Sequence, residues 1–380
     1  MTAPPPAPEP LESTDWSPPD HWTRYRVIDA HTAGEPLRVI TGGYPGLDGG
    51  TILEMRRDAR DRHDAARRAL MLEPRGHADM YGCVLTRPVT DDGDVGVLFL
   101  HNEGYSTMCG HGIIGLVKVG LDCGLLQLRP GQDVLRIDSP AGRVTARPTL
   151  TAGGVTDVSF ENVPSFLLER GCTVEVTGLG SVTYDLAYGG AFYAYVEAGS
   201  VGLEVEPSQV ERLIAVGMDI KRAVMASHPF AHPEGDADLN FLYGVIFTQP
   251  GTDGAHLRNV CIFADGEVDR SPTGTGVSGR AAIEHASGRM AVGEELVIES
   301  LIGTRFKVRV ARETRAGAHE AIVPEVTGRA FITGINELLI EPGDPLAGGV
   351  LLRGGSAVQL PPAAEGTASA RADSAPHPSQ

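Results

Sequence analysis

No apolar run in the 380 residues approaches the roughly 20 needed for a membrane-spanning helix, and the N-terminus lacks the basic and apolar regions of a secretory signal. A cytoplasmic protein with no membrane partner is expected. Cysteine is scarce: there are five, an odd number, and no two stand at CxxC spacing. That is neither a disulfide framework nor a zinc site, and it weakens a redox role, so each cysteine is read as a separate thiol. Basic residues fall well short of acidic ones, 32 against 49, for a net charge of −17. Such a surface is repelled by nucleic-acid phosphates and by anionic lipid, so neither is expected as a partner.

What is present is a chain long and apolar enough, at 42% hydrophobic, for two packed cores. Seven of the first 22 residues are proline, and the end of the chain is rich in Ala, Ser and Pro. Segments 1–22 and 359–380 are therefore expected to be disordered tails. Between them, β-like runs such as Tyr25–Ile28, Leu37–Ile40 and Val95–Leu100 alternate with helical stretches, which reads as mixed α and β. One helix is expected over about Thr51–Leu72. Another starts at Ser208 and carries Val210, Leu213, Ile214 and Gly217 on one face. Asn162-Val-Pro-Ser165 marks a crossing between halves, and a second break is expected after Pro324. The resulting division is 23–165 plus 326–358 for one domain and 166–325 for the other.

An internal correspondence is the most informative feature. Cys109-Gly-His-Gly-Ile-Ile-Gly115 and Thr273-Gly-Thr-Gly-Val-Ser-Gly279 share glycines at their second, fourth and seventh places, far apart in the chain. Two related domains contributing one copy each would produce this spacing, whereas solenoid repeats would not. Gly within a helix costs about 1 kcal/mol against Ala, so three in seven residues need a reason, and close backbone approach supplies one. A helix starting at each motif would present unpaired N–H groups and a partial positive charge, and two facing N-termini could clamp one carboxylate. Both clusters also match GxGxxG, with Asp138 following the first at a tolerable distance, so a dinucleotide site stays open. It would explain neither the second copy nor the adjacent cysteine.

Cys109 opens the first helix, where the dipole is expected to lower its thiol pKa from about 8.5 toward neutrality and make it a competent base. An arbitrary cysteine is more often a small core residue. The flanking glycines and the duplicate motif favour function here, while Cys83, Cys123, Cys172 and Cys261 are read as structural.

His101-Asn-Glu-Gly-Tyr-Ser-Thr-Met-Cys-Gly-His-Gly112 and Asp269-Arg-Ser-Pro-Thr-Gly-Thr-Gly276 resemble the two signature segments of the proline racemase family. Asp29–Pro36, Gly76–Gly82, Gly189–Tyr193 and Gly328–Thr333 add to the resemblance, which covers most of residues 25–355. The resemblance implies a diaminopimelate epimerase-like α/β (α+β) fold. Two pseudo-symmetric domains would each wrap a sheet around a central helix, with the active site in the cleft between them. It further implies that Gly110, His111, Gly274 and Thr275 hold the carboxylate of a proline-like imino acid. Asp269 would pair with the ring ammonium, and Tyr81 and Phe263 would line the ring pocket. A homodimer is a family-level expectation. No metal or pyridoxal motif is evident, so no cofactor is expected. His111 is weighed chiefly for its backbone N–H, and His31 and His101 as packing or hydrogen-bonding residues.

The departure from the family pattern bears on the reaction. Racemases and epimerases of this type carry a second cysteine where this chain has Thr273, and a hydroxyl is a far weaker base. Inversion needs proton removal on one face and delivery on the other, so the loss of one thiol should cripple it. In trans-3-hydroxy-L-proline the α-hydrogen and the 3-hydroxyl lie on one ring face, so one thiol could serve elimination. Cysteine with threonine is also the pattern of the family's trans-3-hydroxy-L-proline dehydratases. The expectation is a dehydratase with Cys109 as base and Thr273 on the opposite face. The alternatives are a proline racemase, a 4-hydroxyproline epimerase and a non-catalytic amino-acid-binding protein.

Overall fold

The computed structural model describes residues 16–233 and 236–352. The expected C-terminal tail and residues 1–15 of the N-terminal one lie outside these. The chain runs through β1 (Thr23–Thr32), β2 (Glu35–Gly42), α1 (Ile52–Arg62), α2 (Asp64–Met71), β3 (Tyr81–Thr86), β4 (Val95–His101), β5 (Tyr105–Ser106), α3 (Gly110–Asp122), β6 (Leu135–Ser139), β7 (Gly142–Thr151) and β8 (Gly154–Glu161). It continues with β9 (Phe166–Val176), β10 (Gly180–Tyr188), β11 (Phe192–Glu197), α4 (Val210–Ser227), β12 (Leu242–Pro250), β13 (Leu257–Phe263), β14 (Glu267–Asp269), α5 (Gly274–Ala286), β15 (Glu295–Ser300), β16 (Arg305–Ala316), β17 (His319–Gly328) and β18 (Ala330–Ile340).

The pairing repeats itself. In the first half β1 and β2 are antiparallel, β2 and β3 parallel, β3 and β4 antiparallel, β4 and β6 parallel, and β6, β7 and β8 antiparallel. The same order of signs recurs in β10–β11, β11–β12, β12–β13, β13–β15 and β15–β16–β17. In each half a short strand, β5 or β14, pairs with the strand before it and leads into a 13-residue helix. The halves join where β17 pairs β8, and the late strand β18 returns to pair β1, giving one sheet of 18 strands.

Helices α3 and α5 are nearly all apolar or small, and a helix without a polar face must be buried. Residues Gly110–Val117 and Gly274–Ile283 are buried without exception. The first helix packs against β1, β2, β7, β8 and β18, the second against β9, β10, β16 and β17, so each sits inside the curve of its own strands. This is the mixed architecture with central helices that the family resemblance implies.

Two local expectations are corrected. The helix expected over Thr51–Leu72 is two helices, broken at His63, whose φ of −128° and ψ of 13° leave the helical region. The buried positions Ile52, Met55, Ala59, Ala66 and Leu70 keep one helical rhythm across the break, so periodicity gives no sign of it. Its start at Thr51 is sealed by a capping box with Glu54. Nor does Pro324 end a strand: it lies inside β17 and pairs with Val310 beside a bulge in β16, where the missing N–H is tolerated. The strand ends at Gly328 instead, and Arg329 alone separates it from β18.

Candidate active site

Helices α3 and α5 meet at their N-termini. A Cβ built on Gly110 would lie 2.5 Å from Gly274 Cα, and one on Gly274 would lie 2.6 Å from Gly110 Cα. Only glycine at both places lets the two backbones approach this closely, which accounts for the duplicated second-place glycine. Gly110→Ala must push the helix ends apart. The expected cost is about 1–3 kcal/mol, read by urea denaturation, with turnover lost almost entirely.

Each helix begins on a residue of chemical interest: Cys109 is the N-cap of α3 and Thr273 that of α5. The Cys109 Sγ accepts the Gly112 N–H at 3.2 Å, the N3 contact that a hydroxyl makes in an ordinary cap. The N–H groups of Gly110 and His111, and of Gly274 and Thr275 beside them, belong to first turns that have no intrahelical acceptors. All four residues line the same cavity.

The thiol itself departs from expectation. Cys109 is 5% exposed, and burial pushes its pKa well above the ordinary thiol range, with the Asp269 and Glu35 charges acting in the same sense. The Tyr81 hydroxyl and the Gly112 N–H pull the other way but do not win. The helix N-terminus therefore tempers the desolvation of this thiol rather than lowering its pKa toward neutrality. His111 also comes closer than its backbone role required, with Nδ1 3.2 Å from Sγ. Burial lowers that imidazole to about 3, so it is neutral at physiological pH.

Thr273 adopts φ 66° and ψ 95°, outside the regions a β-branched residue favours, and its hydroxyl makes no capping bond. Its Oγ1 is buried without a hydrogen-bond partner at good geometry. The preceding turn is tied by Asp269 Oδ1, which accepts the Ser271 N–H at 2.7 Å, and by Ser271 Oγ, which accepts the Thr273 N–H at 3.1 Å. Burial pushes the Asp269 carboxyl up to about 6, against the Ser271 and Thr273 hydrogen bonds and the Arg270 charge. The adjacent Arg270 is gripped from the other half, its N–H by Glu35 at 2.7 Å and its guanidinium by Glu35 and Asp79, each at 3.4 Å.

These groups surround one small cavity whose wall includes Tyr81, Cys109, Gly110, His111, Phe263, Asp269, Thr273, Gly274 and Thr275. All nine residues singled out from the sequence thus share one site. Four more line it without having been foreseen: Met108, Tyr193, Tyr243 and Cys261. Tyr243 lies in a strand run with no motif around it, whereas Tyr193 closes the segment Gly189–Tyr193 that the resemblance includes. Cys261, taken as structural from its apolar surroundings, pairs across the strands with Asp269 and faces the cavity. His101 does pack, stacking on Tyr81 at 5.9 Å and pairing with Glu267 at 3.0 Å.

A dinucleotide does not fit. The strand before α3 runs antiparallel to its neighbour, unlike a βαβ unit, and Asp138 is occupied by Val89, Thr90 and Arg143.

The fold thus brings two helix N-termini, a buried thiol and a buried carboxylate to one small cavity between its repeated halves. The proline racemase family model matches residues 27–351, and the chain belongs to that family. A trans-3-hydroxy-L-proline dehydratase of Colwellia psychrerythraea is 47% identical over 89% of this chain and 96% of its own. A 3-hydroxyproline 2-epimerase of Burkholderia multivorans is 45% identical over 86% of this chain and 98% of its own. The crystal structure of a hydroxyproline epimerase from Agrobacterium vitis, with bound trans-4-hydroxy-L-proline, superposes with a TM-score of 0.82. It is 30% identical and is matched over 87% of this chain and 96% of its own. Among the described residues no helix is long and apolar enough to cross a membrane.

Proposed function

We propose that this chain dehydrates trans-3-hydroxy-L-proline, with the Cys109 thiolate as the base that removes the α-proton. The unlike pair of N-caps, Cys109 on α3 and Thr273 on α5, is the observation that carries this reading. The N–H groups of Gly110, His111, Gly274 and Thr275 hold the substrate carboxylate, and Asp269 holds the ring ammonium between the aromatic walls Tyr81 and Phe263. As the α-proton leaves, charge develops on the carboxylate, where fixed N–H dipoles in a closed cavity stabilise it most. Closure of the two halves on one another completes that site and excludes water. The 3-hydroxyl departs from the face that Cys109 addresses, and the enamine tautomerises to a pyrroline-2-carboxylate. Names of relatives at 45–47% identity agree with this reading.

Epimerisation is the second reading. A relative of similar identity is called an epimerase, and Cys261 brings a thiol to the wall that Thr273 shares. Incubation with L-proline, trans-4-hydroxy-L-proline and trans-3-hydroxy-L-proline separates the two. The dehydratase consumes only the third and yields the pyrroline; D-proline or an epimerised 4-hydroxyproline as main product would sink it.

The pH profile follows from the two perturbed groups. Asp269 must be ionised to hold a cation, and its fraction ionised rises through about 6. Cys109 must be a thiolate, and its pKa is raised. The expected kcat/KM therefore climbs in two steps, one near pH 6 and one above pH 8.5, the ordinary thiol value of about 8.5 marking the lower edge of the second. A profile flat from pH 5 to 9 would contradict both assignments.

A further inference from the structure

The mechanism so far gives no role to a chain of buried hydroxyls on the Cys109 side of the cavity. Tyr81 Oη donates to Ser106 Oγ at 2.5 Å, and Ser106 Oγ lies 2.6 Å from Tyr243 Oη. Ser106 is fully buried, and the two tyrosines nearly so. Both phenols line the cavity, while Ser106 stands behind them on β5 and joins them. The chain spans the two halves, Tyr81 from β3 and Tyr243 from β12. Each ring is fixed: Tyr81 has the His111 ring edge-on at 4.7 Å, and Tyr243 stacks on Phe263 at 5.3 Å with 12° between the planes.

Three hydroxyls own three protons, and two hydrogen bonds use two of them. With Tyr81 donating to Ser106 and Ser106 to Tyr243, the Tyr243 proton has no acceptor within the chain and is left for the cavity. At the other end Tyr81 Oη, its proton given to Ser106, keeps a lone pair free to accept; Tyr81 shares the cavity wall with Cys109 and packs edge-on against His111, whose Nδ1 lies 3.2 Å from Sγ. The base is thus linked to a donor at a second point on the cavity wall. A thiol acting alone would have to carry its proton from Cα to the oxygen on C3 itself.

We infer that Tyr81, Ser106 and Tyr243 form a proton relay in which Tyr243 is the acid that protonates the departing ring hydroxyl. This rests on the dehydratase reading above. Cys109 takes the α-proton, and the C–H electron pair becomes the second bond between Cα and C3. The C3–O bond breaks with its electron pair on oxygen, which leaves as water on receiving the Tyr243 proton. Tyr243 is refilled from Ser106, Ser106 from Tyr81, and Tyr81 from the Cys109 thiol, so the thiolate and all three hydroxyls are restored. Burial pushes both phenols well above their ordinary range, so neither accumulates as a phenolate and the shift along the chain is concerted.

The test measures two reactions of trans-3-hydroxy-L-proline in heavy water: pyrroline formation, and deuterium at the α-carbon of recovered substrate. In Tyr243→Phe, pyrroline formation should fall about 10²-fold or more while α-exchange persists, because the C–H bond still breaks and the C–O bond no longer does. Ser106→Ala, which keeps both rings, should separate the reactions in the same way and serves if the first variant does not fold. Equal losses of both reactions would make these residues mere binding groups and overturn the relay, as would undiminished pyrroline formation. Absence of pyrroline from the wild-type enzyme would instead sink the dehydratase reading.

Discussion

Cys109→Ser is expected to keep its fold and lose turnover by roughly 10³-fold or more, since a buried serine hydroxyl is a far weaker base than a thiolate. The exchange is nearly isosteric, so the α3 cap survives: a serine Oγ accepts the Gly112 N–H as Sγ does. A stability change within about 1 kcal/mol follows. The sensitive readout is deuterium uptake at the substrate α-carbon, which a pure binding protein never catalyses and the wild-type enzyme can. Full activity in this variant would remove Cys109 from the chemistry and leave its position between the two helix ends unexplained.

Thr273→Cys is expected to add an activity. It places a second thiol at the N-cap of α5, the position related to Cys109 by the repeat of β14 and α5 on β5 and α3. A base on one face and an acid on the other is what inversion needs, so epimerisation of 4-hydroxyproline should rise at least 10²-fold, roughly the worth of one placed acid or base. The backbone favours the change, since cysteine is less strained than a β-branched residue at φ 66°. If no epimer appears, the identity of this N-cap does not decide between elimination and inversion.

The sequence was most legible where physics demands particular residues at a particular spacing. Glycines at 110 and 274 answer to a backbone contact of two helix ends, and the motif repeat pointed to the topological repeat that the strand signs display. Beta runs around Val27, Val39 and Val97 fell in β1, β2 and β4 for the usual reason that β-branched residues suit a pleated surface. Ser106 and Tyr193 stand in segments that carry the resemblance and Tyr243 does not, but none shows a role in sequence, because tyrosine and serine in a strand carry no spacing rule. They become neighbours only when β11, β12 and β5 are brought together by pairings far apart in the chain. The acidity of Cys109 was misjudged for a related reason: a helix N-terminus is visible in sequence, whereas the desolvation that outweighs it depends on everything packed around the thiol. Cys261 was hidden likewise, its apolar flanks saying nothing of the cavity it faces.

The most direct measurement is a single reaction of trans-3-hydroxy-L-proline, with the product identified and the recovered substrate resolved by chirality. One thiolate facing one ring face predicts a pyrroline-2-carboxylate as the product and recovered substrate that is entirely of the L configuration. Recovery of the 2-epimer as the major species, with little pyrroline, would contradict that account.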